Sequence, residues 1–293
     1  METLIWRHLA LQHPPDWEML QFAREPESGR CLLADRYQYR LEFTWRQCKR
    51  PPDWNRTLRD YQSKLAKDHP GATIHEIESS GWTGLQVQAE ELSTTRFGHF
   101  FPREGCLVEI VFIGDSPGDE KMIGRVLSSV HEQPATGGTA RWRAFGMDVR
   151  CSDSVDLKAC RVEPARAKME FGPKKRPGPT ETFQRLGLAP HWLKVPVRDW
   201  LRSQAPGNLV DRAELQLHLR GHEIAGLEGR LNQGRLLSFM GHSAPYRSAA
   251  WICPADGRLY CASHAGHKGD DTVPLAGNRL ACCEAVATEA RGR

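Results

Sequence analysis

No stretch of this 293-residue sequence is apolar over the roughly 18 residues that a membrane-spanning helix needs. The opening Met1-Glu2-Thr3-Leu4-Ile5-Trp6 also lacks the basic and apolar regions of a secretory signal, so the expected location is the cytoplasm. Missing too are a Gly-x-Ser-x-Gly elbow, a redox Cys-x-x-Cys pair and a strand-to-helix phosphate loop. Without a nucleophile, base and orienting group at usable spacing, the expectation is a non-enzyme with no catalytic residues and no cofactor. Cysteines are not scarce, but their number is odd: nine, scattered at 31, 48, 106, 151, 160, 253, 261, 282 and 283. Set within apolar patterns, they suit reduced, buried thiols better than a disulfide framework.

What is present is an ordinary globular composition, 40% hydrophobic and 26% charged, which leaves no case for disorder. Short matches recur in the same order in the two halves. Trp6-Arg7-His8-Leu9 pairs with Trp142-Arg143-Ala144-Phe145, and Arg40-Leu41-Glu42-Phe43 with Lys168-Met169-Glu170-Phe171. Gly84-Leu85 then pairs with Gly226-Leu227, and Pro102-Arg103-Glu104-Gly105 with Pro254-Ala255-Asp256-Gly257. Four ordered matches predict a tandem duplication: a first unit over 1–133, a linker over 134–140 around Gly137-Gly138, and a second unit over 141–293. Net charge is +4 overall but divides unevenly. Residues 1 to 133 carry 16 basic and 20 acidic side chains, and residues 134 to 293 carry 24 and 16. The second unit is therefore the basic one, able to steer an acidic partner but too mildly charged to identify nucleic acid.

Within the first unit, Tyr37, Tyr39, Leu41, Phe43 and Trp45 alternate with polar residues, which predicts a strand with one buried face. Asp53 is placed to cap a helix whose stripe is Trp54, Leu58, Tyr61 and Leu65. The corresponding cover in the second unit is expected to be broken into Thr180 to Leu186 and Pro196 to Ser203. Pro102 to Gly105 and Pro254 to Gly257 read as hairpin turns, since Pro presets φ and Gly accepts a positive value. Each unit is expected to close in a helix: the first after Ser116-Pro117-Gly118-Asp119, the second with Leu280, Cys283, Val286 and Ala287 inward.

An opening strand pair, a helix, several antiparallel strands and a closing helix resemble the PsbP-like α/β sandwich. That superfamily includes PsbP, the DcrB-type bacterial proteins and the chaperones of type VI secretion effectors. His13-Pro14-Pro15-Asp16-Trp17 is similar to its strand-Pro-x-x-Trp opening. The resemblance implies an α+β fold, two tandem antiparallel sheets with helices packed on them, and a role in binding other proteins rather than in catalysis.

Cys253, Cys261, His264 and His267, with His242 upstream, have residue types and spacings that can hold zinc. The hairpin weighs against them: with the turn at Pro254 to Gly257, Cys253 and Cys261 fall on opposite faces of the sheet. Buried thiols, solvent-exposed His264 and His267 and no metal are therefore expected. His222-Glu223 begins like a zinc-protease helix but lacks the second His one turn later, and it reads as chance. Cys282 and Cys283 are expected on a helix, one facing in and one out.

The expected function is a cytoplasmic, non-catalytic protein-binding adaptor or chaperone-like subunit whose partner offers an acidic or hydrophobic segment. Its partner-binding residues are Trp82, set among glycines in a turn-like stretch, Trp192, and the basic run Lys174-Lys175-Arg176. Two alternatives stand beside it: a zinc-dependent protein or enzyme centred on the second unit's Cys and His residues, and a nucleic-acid accessory protein using the basic half.

Overall fold

The computed structural model describes residues 1–89, 92–114, 119–175, 178–232, 243–266 and 275–283. The chain divides after Pro134 into two units, Met1–Pro134 and Ala135–Arg293, each built mainly of antiparallel strands.

In the first unit, β1 (Glu2–Trp6) and β2 (Leu9–His13) form a hairpin over Arg7 and His8, both at positive φ. A meander follows of β3 (Glu18–Phe22), β4 (Ser28–Ala34) and β5 (Tyr39–Gln47). Along β5, Leu41, Phe43 and Trp45 are buried, while Tyr39 at its start and Tyr37 before it are exposed. The buried alternation thus covers only the second half of the expected stripe. Helix α1 (Trp54–Asp68) begins where Asp53 accepts a hydrogen bond from the Arg56 amide at 3.1 Å. Its Leu65 packs on Leu85 and Val87, with Leu58 and Tyr61 alongside. The chain then forms β6 (Thr73–Ser79), β7 (Trp82–Ala89), β8 (Leu92–Phe101) and β9 (Cys106–Ile113). The sheet order is β3-β4-β5-β9-β8-β7-β6, so β9 is central, which is why Val108, Ile110, Val111 and Phe112 are all buried. Helix α2 (Asp119–Ser129) buries Ile123, Val126 and Leu127, and β10 (His131–Glu132) pairs with β2.

The second unit opens with the hairpin β11 (Thr139–Ala144) and β12 (Met147–Ser152), turning through Phe145 and Gly146 at positive φ. Next come β13 (Val155–Glu163), β14 (Arg166–Pro173) and β15 (Thr180–Leu186). Two short helices follow, α3 (Ala189–Trp192) and α4 (Val197–Ser203). Then come β16 (Leu209–Leu219), β17 (His222–Asn232), β18 (Ser243–Ile252) and β19 (Leu259–Ala265). A two-residue strand, β20 (Leu280–Ala281), pairs with β12. The seven-stranded sheet has the order β13-β14-β15-β19-β18-β17-β16, the same sequence of neighbours as in the first unit.

These elements correct several expectations. The fold is mostly β, with large antiparallel sheets, and it is not a pair of PsbP-like α+β sandwiches. Thr180 to Leu186 is the inner strand β15, because Glu181 and Phe183 alternate inward between β14 and β19. The stripe beginning at Leu280 is strand β20 followed by a bend, so Cys282 and Cys283 are not helical; Val286 and Ala287 lie outside the described residues. So does the Ser116-Pro117-Gly118 cap. The expected match of Arg40–Phe43 with Lys168–Phe171 is one strand out of step. By sheet order β5 corresponds to β15, and Lys168–Phe171 lies in β14, the counterpart of β4. Both strands carry Phe on a buried face, and local pattern cannot tell them apart. Thr139 and Ala140, expected in the linker, already belong to β11.

Candidate functional site

The residues expected to bind a partner do not converge. Trp82 is buried: Ser80 and Gly81, both at positive φ, close the β6–β7 hairpin and turn Trp82 inward. Its ring lies 5.1 Å from that of His99 and 6.1 Å from that of Phe101. Glycine neighbours signalled a turn, but the strand begins at the Trp itself. Trp192, at the end of α3, is 40% exposed; its indole Nε1–H donates to the Gly187 carbonyl at 2.9 Å. Lys174 and Lys175 are exposed on the turn after β14, and Arg176 lies outside the described residues. Arg166 at the start of β14 pairs with Leu186, close to Trp192 in the chain, whereas Lys174 follows its far end.

The cysteine and histidine set also reassorts. Cys261 pairs with Ala250 and packs with Ala189, Leu201 and Leu227 under the short helices. Burial pushes its thiol up to about 12. His264, expected in solvent, is buried; its Nδ1 lies 3.4 Å from Oε1 of buried Glu181, which also accepts from the Ser152 amide at 3.1 Å. Arg279 Nη1 approaches the same oxygen at 4.0 Å. This buried polar group ties β12, β15, β19 and the chain before β20 together in the core. His267 and His242 lie outside the described residues.

Cys253, three residues beyond Ala250, alternates to the other face of the sheet and joins a different set: His222, Cys282 and Cys283. One ligand-type atom from each lies within 4.8 Å of all the others. Cys282 Sγ is 3.4 Å from His222 Nε2, Cys283 Sγ is 3.6 Å from it, and the two sulfurs are 3.8 Å apart. The Trp251 indole N–H donates to Cys282 Sγ at 3.3 Å, and its ring stacks on Tyr260. Sequence reasoning missed this group because its members come from three distant segments. The signals were there separately, in His222, dismissed as chance, and in the Cys282-Cys283 pair.

A third feature is the edge of the second sheet. Strand β16 ends the second sheet's order, and residues 210 to 218 are all exposed. After a bulge between Val210 and Ala213 it runs in unbroken register with β17 from Ala213 to Leu219. Leu215 and Leu217 lie on one face, 39% and 38% exposed, and Glu214, Gln216 and His218 alternate with them. The alternation of Glu214 to Leu219 is the sequence signal that could have revealed it. Among the other edges, β3 is five residues with a bulge and β13 buries Val155 and Leu157; β6 and β16 are each touched by a helix, through Gln62 Nε2 donating to Glu76 at 2.8 Å and Arg202 Nε donating to Glu214 at 2.7 Å.

The first unit also holds a cleft of about 290 Å³ between α1 and its sheet, walled by Trp45, Trp54, Leu85 and Phe97. On its floor Glu109 takes Arg96 at 3.3 Å and the Tyr61 hydroxyl at 3.2 Å. Burial, then the neighbouring carboxylate, raises the Tyr61 pKa.

Comparison of the sequence with protein-family models and with curated proteins gives no match. Among solved structures, the chain is similar to the type VI secretion immunity protein TplEi from Pseudomonas aeruginosa in complex with an "L" peptide: 10% identity, TM-score 0.34, covering 94% of this chain and 95% of that one. The apo form of TplEi gives 12% identity and a TM-score of 0.33, over 99% and 93%. A Bacteroides thetaiotaomicron protein gives 13% identity and a TM-score of 0.27, over 47% and 50%.

Proposed function

We propose that this protein is a non-catalytic binding subunit that captures a partner protein by adding one of the partner's strands to the edge of β16. The observation that carries the reading is the long, regular and exposed edge itself. An unpaired edge offers a row of backbone donors and acceptors, and proteins that do not use such an edge blunt it with brevity, bulges, prolines or inward charges. Over Ala213 to Leu219 β16 is free of bulges and prolines, and its one charge on the core side, Glu214, is held by Arg202 of α4 at 2.7 Å. A partner strand would draw affinity from main-chain hydrogen bonds and register from Leu215 and Leu217 on one face against Glu214 and Gln216 on the other.

Non-catalysis is supported by the state of the thiols in the two cores. Burial raises Cys106 to about 11 and Cys151 and Cys261 to about 12, the opposite of what a nucleophilic thiolate requires. The test is co-purification with Leu215→Lys/Leu217→Lys beside the parent chain. Both positions are exposed, so the fold survives; a partner held stoichiometrically by the parent should be lost from the double variant. An identical set of captured proteins from both would refute the edge as the binding site.

A further inference from the structure

We infer that His222, Cys253, Cys282 and Cys283 form a structural zinc site that fastens the chain after β20 to the second sheet.

The donor set and its dimensions carry it. In a tetrahedral site with Zn–S of about 2.3 Å and Zn–N of about 2.0–2.1 Å, neighbouring sulfurs are about 3.8 Å apart and sulfur and nitrogen about 3.6 Å. The measured separations are 3.8 Å for Cys282 to Cys283, and 3.4 and 3.6 Å for the two sulfurs to His222 Nε2. Cys253 Sγ completes the group within the same 4.8 Å limit. Four side chains fill a tetrahedron, which leaves no position for a reacting water and marks the site as structural rather than catalytic.

The surroundings suit a bound cation. His222 Nδ1 lies 3.2 Å from the Arg220 carbonyl. A carbonyl can only accept, so Nδ1 carries the proton and Nε2 presents its lone pair to the cluster, the usual outer partner of a metal-bound imidazole. Cys253 opens a tight turn in which Gly257 N–H donates to the Cys253 carbonyl at 2.8 Å, with Gly257 at positive φ. The Ala255 and Asp256 amides point toward the Cys253 sulfur, and the Trp251 indole N–H donates to that of Cys282. Zinc uptake would release three thiol protons to solvent and leave three thiolates, one neutral imidazole and Zn²⁺, a net charge of −1 that these N–H donors offset.

The site joins the β16–β17 turn, the turn between β18 and β19, and the bend after β20, bringing together residues separated by 60 and 61 positions. Strand β20 has only two residues to hold it on β12, so a metal clip supplies an attachment that the short ladder does not.

The test is metal analysis of the full chain purified under reducing conditions, followed by cobalt titration of the stripped protein. One zinc per chain is expected. Cobalt should give tetrahedral ligand-field bands with thiolate charge-transfer absorption. Zinc content should fall more than tenfold in His222→Ala and Cys283→Ala but stay near one in Cys48→Ser. X-ray absorption on the parent chain, reading three sulfurs and one nitrogen, keeps the test decisive if a variant fails to fold. A folded parent chain that takes up neither zinc nor cobalt would overturn the inference, as would stoichiometric zinc unchanged in both ligand variants.

Discussion

His222 Nε2 and Cys282 Sγ lie 3.4 Å apart although 60 positions separate them in the chain. The Cys282-Cys283 bend follows a strand of only two residues, so its position should depend on that contact. Stripping metal from the folded protein should speed amide exchange in residues 275–283 by at least tenfold while leaving β5 and β9 in the first unit unchanged. Hydrogen exchange with mass spectrometry reads both regions in one experiment.

Phe43 and Phe171 are both buried, and the Phe171 ring meets Trp142 and Phe183 edge-on at 5.4 and 5.8 Å. Phe43→Ala and Phe171→Ala should each cost about 3–5 kcal/mol in denaturant unfolding. A midpoint equal to that of the parent chain would show that the strand phase is wrong.

Gly84 sits opposite Phe97 on β8, and a Cβ there would lie 2.0 Å from the Arg96 carbonyl oxygen and 2.8 Å from the Phe97 ring. The clash is with backbone that cannot swing aside. Gly84→Ala should therefore destabilise by about 1–3 kcal/mol despite the better strand propensity of Ala. Urea denaturation checks it, and a neutral effect would contradict the packing of β7 on β8.

His13 is buried beside the Pro14 carbonyl, and burial lowers its pKa below the ordinary value. Between the unfolded value of about 6.5 and the lower folded value, the unfolded chain binds more protons than the folded one. Stability should therefore fall as pH drops through that window and level off below it. His13→Gln removes this contribution, so the difference in unfolding midpoint between parent and variant should change with pH within that window and be constant above about 6.5.

Features set by neighbours along the chain were legible in the sequence. The Asp53 cap, the glycine turns after Pro102 and Pro254, and the alternation of Leu41, Phe43 and Trp45 all depend on residues a few positions apart. Features set by pairing across the sheet were not. Leu280 and Cys283 share a helical spacing, yet the Leu280 segment is captured by β12 as a strand. Trp82 looked exposed because glycines flank it, while what buries it are His99 and Phe101 on another strand. The Cys253 reading placed it correctly away from Cys261, but its true companions arrive from His222 and from Cys282 and Cys283. No local spacing encodes that meeting.

The central claim is that β16 is where a partner strand adds. Hydrogen exchange of the co-purified complex against the free chain tests it most directly, because an added strand locks the outward amides of β16. Protection gained over Ala213 to Leu219, with the Lys174–Lys175 turn and the Trp192 helix unchanged, is the predicted result. Unchanged exchange along β16, with protection appearing at Lys174, Lys175 or Trp192 instead, would contradict it.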